Sequence, residues 1–174
     1  MIMKRAKTPL IDKTIDLQNL DKQLSLWKSN GYSICFTNGC FDVLHVGHTT
    51  YLNEASKCAD ILLVGVNSDR SVKALGKSPE RPVNDELSRS SVVAALESVD
   101  GVVVFNEDTP QELIKRSTPD VLVKGGDYDP NEKNPEHPKY IVGREHVLKN
   151  GGSVKIIKLV EGVSSTQIID RLKK

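Results

Sequence analysis

The stretch "YSICFTNGCFDVLHVGHTTYL", residues 32–52, runs from an apolar segment through a glycine, an aromatic ring and an aspartate to two histidines three apart. Its first part, "YSICFT" (32–37), has strand length and no polar alternation, as in a strand buried on both faces. The same kind of run recurs as "ILLVGV" (61–66), "GVVVF" (101–105), "VLVK" (121–124) and "VKIIKL" (154–159). Stretches with helical spacing lie between them. "LQNLDKQLSLWKSNG" (17–31) places Leu17, Leu20, Leu24 and Trp27 on one side and stops at Asn30-Gly31. "TTYLNEASKCA" (49–59), "DELSRSSVVAALESV" (85–99) and "TPQELIKRS" (109–117) follow, the last with Thr109 as N-cap and Pro110 at the first helical position.

Strands alternating with helices form βαβ units, and right-handed crossovers between them build a parallel sheet. The expected fold is α/β, a Rossmann-like doubly wound parallel sheet of about five strands in three α/β/α layers. Residues 1–16 read as an N-terminal arm ahead of a single domain over 17–174. A chain of 174 residues can bury a core of that size without disulfides.

Charge narrows the function classes. The 24 basic and 23 acidic residues leave a net charge of +1, so composition offers no face dedicated to nucleic acid or to an anionic membrane. No apolar run is long enough to cross a bilayer, and "MIMKRAKTPLIDK" (1–13) lacks the apolar core of a secretion signal. Cys35, Cys40 and Cys58 make an odd count without CxxC spacing, which fits reduced thiols and a cytoplasmic location.

His45 and His48 admit three readings. A helical i, i+3 pair can ligate a metal, with Asp42 and Cys40 as further ligands, but no HExxH or paired-cysteine pattern accompanies it. A pair of core histidines leaves Gly47 without a packing reason. A grip on phosphate accounts for more residues. Asn38-Gly39 would turn the backbone closely around a ligand, and Gly47 would open the helix start so that free amides face an anion. The two rings would add donors where negative charge grows.

In doubly wound sheets ligands sit beyond the carboxyl ends of the strands, where strand order reverses. The stretches in that position are "NGCFDVLHVGH" (38–48), "NSDRSVK" (67–73), "KGGDY" (124–128) and "EGVSSTQ" (161–167). Ser164-x-x-Gln167 has capping-box spacing, with the hydroxyls of Ser165 and Thr166 beside the helix start. A plain turn explains the glycines of "KGGDY" but not Lys124, Asp127 or Tyr128.

"GCFDVLHVGH" (39–48) resembles the GxFDxxHxGH motif of the cytidylyltransferase-like nucleotidyltransferases, and "EGVSSTQIIDRL" (161–172) resembles their closing segment. The resemblance implies that a phosphorylated substrate attacks the α-phosphorus of a nucleoside triphosphate, with Mg²⁺ on the phosphates and pyrophosphate leaving. It assigns catalysis to His45, His48 and Lys73, with Lys77 as a rival for Lys73. The implied nucleotide-binding residues are Thr37, Asn38, Gly39, Cys40, Phe41, Asp42, Gly47, Arg89, Gly126, Asp127, Tyr128, Val163, Ser164, Ser165 and Thr166. Lys124, Gly125 and Asp127 would meet the second substrate, Asp42 would orient the magnesium, and a homodimer or higher homo-oligomer is implied.

Within that family, "FTNGCFD" (36–42), "VNSDRSVKALGKSPERPVN" (66–84), "ALESVDGVVVFNEDTPQELI" (95–114), "PDVLVKGGDY" (119–128) and "NGGSVKII" (150–157) are similar to one branch. That branch is the adenylyltransferase half of bacterial ADP-heptose synthases, which implies ATP and D-glycero-β-D-manno-heptose 1-phosphate as substrates. A cytidylyltransferase for another phosphate ester, such as glycerol 3-phosphate, is the alternative enzyme reading, and a nucleotide-binding module the non-enzyme one. Leu159 and Val160 stand where glycerol- and choline-phosphate cytidylyltransferases carry an arginine–threonine pair. "DPNEKNPEHPKYIVGREHV" (129–147) is longer than the usual link and reads as a proline-rich loop that bears on sugar selection.

Overall fold

The computed structural model describes residues 10–76, 79–126 and 128–172. Five parallel strands form one sheet: β1 (Ile34–Gly39), β2 (Ile61–Asn67), β3 (Gly101–Phe105), β4 (Val121–Gly125) and β5 (Ser153–Ile157), in the order β3-β2-β1-β4-β5. Around it lie α1 (Leu10–Lys13), α2 (Leu20–Ser29), α3 (Val46–Ser56), α4 (Asp69–Ala74), α5 (Glu86–Ala94), α6 (Gln111–Ser117), α7 (Arg144–Lys149) and α8 (Ser165–Leu172). The chain steps outward from β1 to β3 and then returns to lay β4 on the other side of β1. The order therefore reverses between β1 and β4, and the crevice above Gly39 and Gly125 is where such a sheet holds a ligand.

Each central strand is apolar on both faces. Ile34 and Phe36 of β1 join Leu20, Leu24, Trp27, Leu113, Ile114 and Val147 on one side of the sheet, under α2, α6 and α7. Cys35 points the other way, into a second cluster with Tyr51, Leu52, Ala55, Val93 and Ala94 from α3 and α5. This is the three-layer arrangement expected. The edge strand β5 is less buried: Ser153 and Lys155 are exposed, Val154 and Ile156 pack against the first cluster, and only Ile157 reaches the second.

Several boundaries move for physical reasons. β1 starts at Ile34 and runs through Asn38 and Gly39, which pair with Gly65 and Val66 of β2, so the expected turn pair is strand. The chain turns instead at Phe41, held at φ +48°, a conformation costly for a residue with a side chain. A Cβ on Gly39 would lie 3.0 Å from that Phe41 ring, so glycine is what lets the ring fold back over the strand end. Residues 17–19 form a separate 3₁₀ turn ahead of α2, α3 begins three residues earlier than its sequence pattern, and Pro110 rather than Thr109 occupies the N-cap of α6. The arm expected over 1–16 also joins the domain before residue 17. Ile15 is buried and its amide donates to the Val102 carbonyl (2.8 Å), while Thr14 bridges to Val102 at the edge of β3.

Candidate active site

The two histidines face each other at the start of α3. His45 is the N-cap, in extended conformation, and its Nδ1 accepts the Gly47 amide proton at 3.1 Å. The His45 and His48 rings stack at 3.9 Å between centroids, and the Phe41 ring meets His48 edge-on at 5.3 Å. Gly47 is small because the His45 ring fills its place: a Cβ there would lie 2.9 Å from His45 Cε1. The space expected for an anion at the Gly47 amide is thus taken by imidazole. Burial pushes the His48 pKa down to about 4, with the neighbouring His45 adding to the shift, and burial lowers His45 as well. Both rings are therefore neutral at pH 7. Since His45 Nδ1 accepts a hydrogen bond, its Nε2 carries the N–H of the neutral ring, while His48 Nδ1 is buried with no hydrogen-bond partner among the described residues.

Asp42 anchors the next loop. Its Oδ1 accepts the amides of Val83 (2.8 Å) and Asn84 (3.0 Å), and its carbonyl accepts Asn84 Nδ2 at 2.6 Å. The second oxygen, Oδ2, is buried with no hydrogen-bond partner among the described residues. Behind this junction lies Arg89, its side chain fully buried. It donates to the Cys40 carbonyl (2.6 Å), the Asn84 carbonyl (2.9 Å) and Asp69 Oδ1 (2.8 Å), tying three segments together. Arg89 is absent from the lining of both cavities at the histidine pair and sits behind the wall it was expected to form.

At the switch point, Lys124 of β4 donates to Asn38 Oδ1 of β1, and its ammonium lies 6.0 Å from the Tyr128 ring centre. Burial lowers its pKa to about 8. Thr37 is wholly buried, with its hydroxyl 2.6 Å from that of Tyr51, which in turn donates to the Val123 carbonyl (3.2 Å). Tyr51 thereby pins α3 to β1 and β4. The left-handed Gly126 (φ +91°) donates to the Ile157 carbonyl, and Leu159 packs over Gly125 and Gly126.

Two cavities meet at the histidine pair. The larger, about 450 Å³, opens over β1 and β4 and includes Asn38, Asn67, Asp108, Lys124, Tyr128 and Tyr140 in its lining. The smaller, about 330 Å³, holds Asp42, His45, Gly47, Arg81 and the run Val163–Thr166. His48, Phe41, Cys40, Tyr51 and Leu159 belong to both. Ser164 Oγ caps α8 by accepting the Gln167 amide (3.2 Å), Ser165 Oγ donates to the Val43 carbonyl (3.2 Å), and Thr166 Oγ1 accepts from Arg81 Nη2 (3.2 Å).

The fold thus gathers most of the expected residues at one crevice. Lys73 is not among them, being exposed on α4 and lining neither cavity. Asp127 and Lys77 lie outside the described residues. Arg81 and Tyr51 were not singled out from the sequence. "RPVN" contributed only to the resemblance, and a tyrosine three residues after His48 carries no mark of its own.

The profile of the cytidylyltransferase-like family matches residues 36–171, from the first strand to the last helix. The chain belongs to the cytidylyltransferase-like family. Among family relatives, the Bifunctional protein HldE of Pectobacterium carotovorum is 50% identical over 156 residues, covering 90% of this chain and 31% of that protein. The chain thus spans about a third of the length of this relative. The crystal structure of the lipopolysaccharide core biosynthesis protein from Thermoplasma volcanium is 30% identical with a TM-score of 0.57, covering 75% of this chain and 98% of that one. Pantoate-beta-alanine ligase from Francisella tularensis, 13% identical with a TM-score of 0.53, shares the fold alone. Among the described residues no helix is long and apolar enough to cross a membrane, and no group of three or more metal-ligating side chains occurs. Among the described residues the zinc reading of the histidines thus finds no further ligands.

Proposed function

We propose that this chain is an adenylyltransferase that joins D-glycero-β-D-manno-heptose 1-phosphate to AMP from ATP, giving ADP-heptose and pyrophosphate. The observation that carries the transferase reading is the stacked, neutral His45–His48 pair where two cavities meet at the switch point of the sheet. The choice of substrates rests on the resemblance to the heptose branch and on the relatives named above.

The smaller cavity takes the triphosphate, between the histidines and the start of α8. The larger takes the two organic groups. Asn67, Asp108 and Thr109 offer polar partners for sugar hydroxyls on the β2–β3 side, while Tyr128, Tyr140, Val142 and Leu159 give an apolar wall for a base on the β4–β5 side. Val160 joins Leu159 in place of the arginine–threonine pair of cytidylyltransferases, so the ion pairs and hydrogen bonds of that pair are absent here.

The acceptor phosphate is already ionised, so no general base is needed. Catalysis rests on alignment and on donors aimed at the charge growing on the α-phosphate. His45 Nε2–H and the buried His48 ring supply donors without carrying a charge into the ground state. A magnesium ion brought in on the triphosphate would neutralise part of its charge, and Asp42, which lines that cavity and keeps one buried carboxylate oxygen without a partner among the described residues, is the residue to meet it.

Lys124 is the acceptor-side cation in this reading. Its pKa of about 8 lies below the free value of 10.5, so its charge is present below pH 8 and disappears as pH rises through that value. Acceptor kcat/KM, which reports the free enzyme, should fall above pH 8. Lys124→Gln should remove that limb and raise the acceptor KM about tenfold or more, the loss of a charge-assisted hydrogen bond. An unchanged pH profile in the variant would take Lys124 out of acceptor binding.

Pyrophosphate release, with ATP and CTP crossed against heptose 1-phosphate, glycerol 3-phosphate and phosphocholine, tests the whole assignment. ATP with the heptose phosphate should be the clear best pair, because a mismatched base strands buried donors and acceptors. Faster turnover with CTP and an alcohol phosphate would establish the cytidylyltransferase alternative. Nucleotide binding with no release in any pair would leave only a binding module.

A further inference from the structure

We propose that Arg81 is the side chain that receives the departing pyrophosphate; the assignment rests on the nucleotidyl-transfer reading of the site. In the transfer, an acceptor phosphate oxygen forms a bond to the α-phosphorus while the bond from that phosphorus to the bridging oxygen breaks. The electron pair leaves with pyrophosphate, and no proton needs to move. Charge therefore accumulates at the leaving end, and a fixed cation there lowers the barrier. Lys73, which the family resemblance offers for this task, is exposed on α4 and lines neither cavity.

Arg81 is placed differently. It is only 8% exposed, and among the described residues no carboxylate forms an ion pair with it. A buried guanidinium without a counter-ion is costly, and the cost is recovered when an anion enters. Its Nη2 donates to Thr166 Oγ1, the hydroxyl in the first turn of α8, leaving further donors of the fork for a ligand. It lines the same cavity as His45 and Ser164–Thr166, so cation, histidine and helix start converge on one space. The cradle is also rigid. Asp42 grips the amides of Val83 and Asn84, and Arg89 grips the Asn84 carbonyl, which fixes the segment that follows Arg81. The planar fork matches two phosphate oxygens at once, a geometry an ammonium lacks.

Calorimetric titration of the full chain with magnesium-ATP, inorganic pyrophosphate and AMP separates this role from a merely structural one. Arg81→Gln should weaken ATP and pyrophosphate about 10- to 100-fold, the range for losing a charged hydrogen-bond partner, while AMP, which lacks the leaving group, binds as before. The acceptor KM should stay put. Arg81→Lys, which keeps the charge and loses the fork, should fall between the two, and it carries the test should the glutamine variant fail to fold. Pyrophosphate affinity equal to wild type in a folded variant, or a parallel loss of AMP, would overturn the assignment. A wild-type chain that binds neither ATP nor pyrophosphate would instead overturn the nucleotidyl-transfer reading beneath it.

Discussion

His48→Ala is expected to lower kcat by about 10²–10³ while leaving the fold intact, the usual cost of removing one donor from a developing oxyanion. The His48 ring stands where both cavities meet, stacked on His45 and met edge-on by Phe41, so its position is fixed before substrate arrives. Its pKa of about 4 keeps it neutral through the working range. The linkage has a definite sign. The unfolded chain takes up a proton near the free value of 6.5 and the folded one only near 4, so His48 makes the protein lose stability as pH falls through that window. His48→Ala should therefore melt less acid-sensitively than wild type, besides turning over slowly. His45→Ala should differ, because His45 also caps α3, and removal of a cap costs about 1 kcal/mol in addition to the lost rate. Wild-type turnover in a well-folded double variant would exclude the pair from the chemistry, and a proton titration of His48 near 6.5 would contradict its burial.

The second large effect is on stability. Arg89→Met should destabilise the chain by about 2 kcal/mol, because the wholly buried guanidinium gives up charge-assisted hydrogen bonds to the carbonyls of half-buried Cys40 and exposed Asn84, where water can replace part of what is lost. The Asp69 contact adds less, since that carboxylate is a third exposed. The same change frees the loop that carries Phe41 and Asp42, so turnover should fall at saturating substrate even in protein that remains folded. Chemical denaturation of the variant, read beside kcat, checks both. Unchanged stability would mean that the loop is held elsewhere.

The sheet was legible because its strands are apolar on both faces. "GVVVF" became β3 over the same residues, and the continuous runs of the other strands marked a buried parallel sheet. The limits of the strands were less so. Asn38-Gly39 has the composition of a turn, yet β2 offers it partners and the strand continues. The residue that turns the chain is Phe41, whose positive φ no propensity announces, and it depends on Gly39 leaving room for the ring. The site was legible where residues adjoin in sequence, as in HVGH and Ser164–Thr166. It was obscure where distant segments meet. Arg81 reaches Thr166 across 85 positions, and Arg89 reaches Cys40 across 49. Neither spacing means anything until the strand order brings the loops together.

The proposed reaction transfers the α-phosphorus of a nucleoside triphosphate, with its nucleoside, to a sugar phosphate. Its most direct test follows the label from ATP marked at the α-phosphorus during a single turnover with D-glycero-β-D-manno-heptose 1-phosphate. The label should appear in the nucleotide sugar, and the unlabelled β- and γ-phosphates should leave together as pyrophosphate. ADP carrying the label beside a doubly phosphorylated sugar, or labelled AMP with no sugar product, would contradict it.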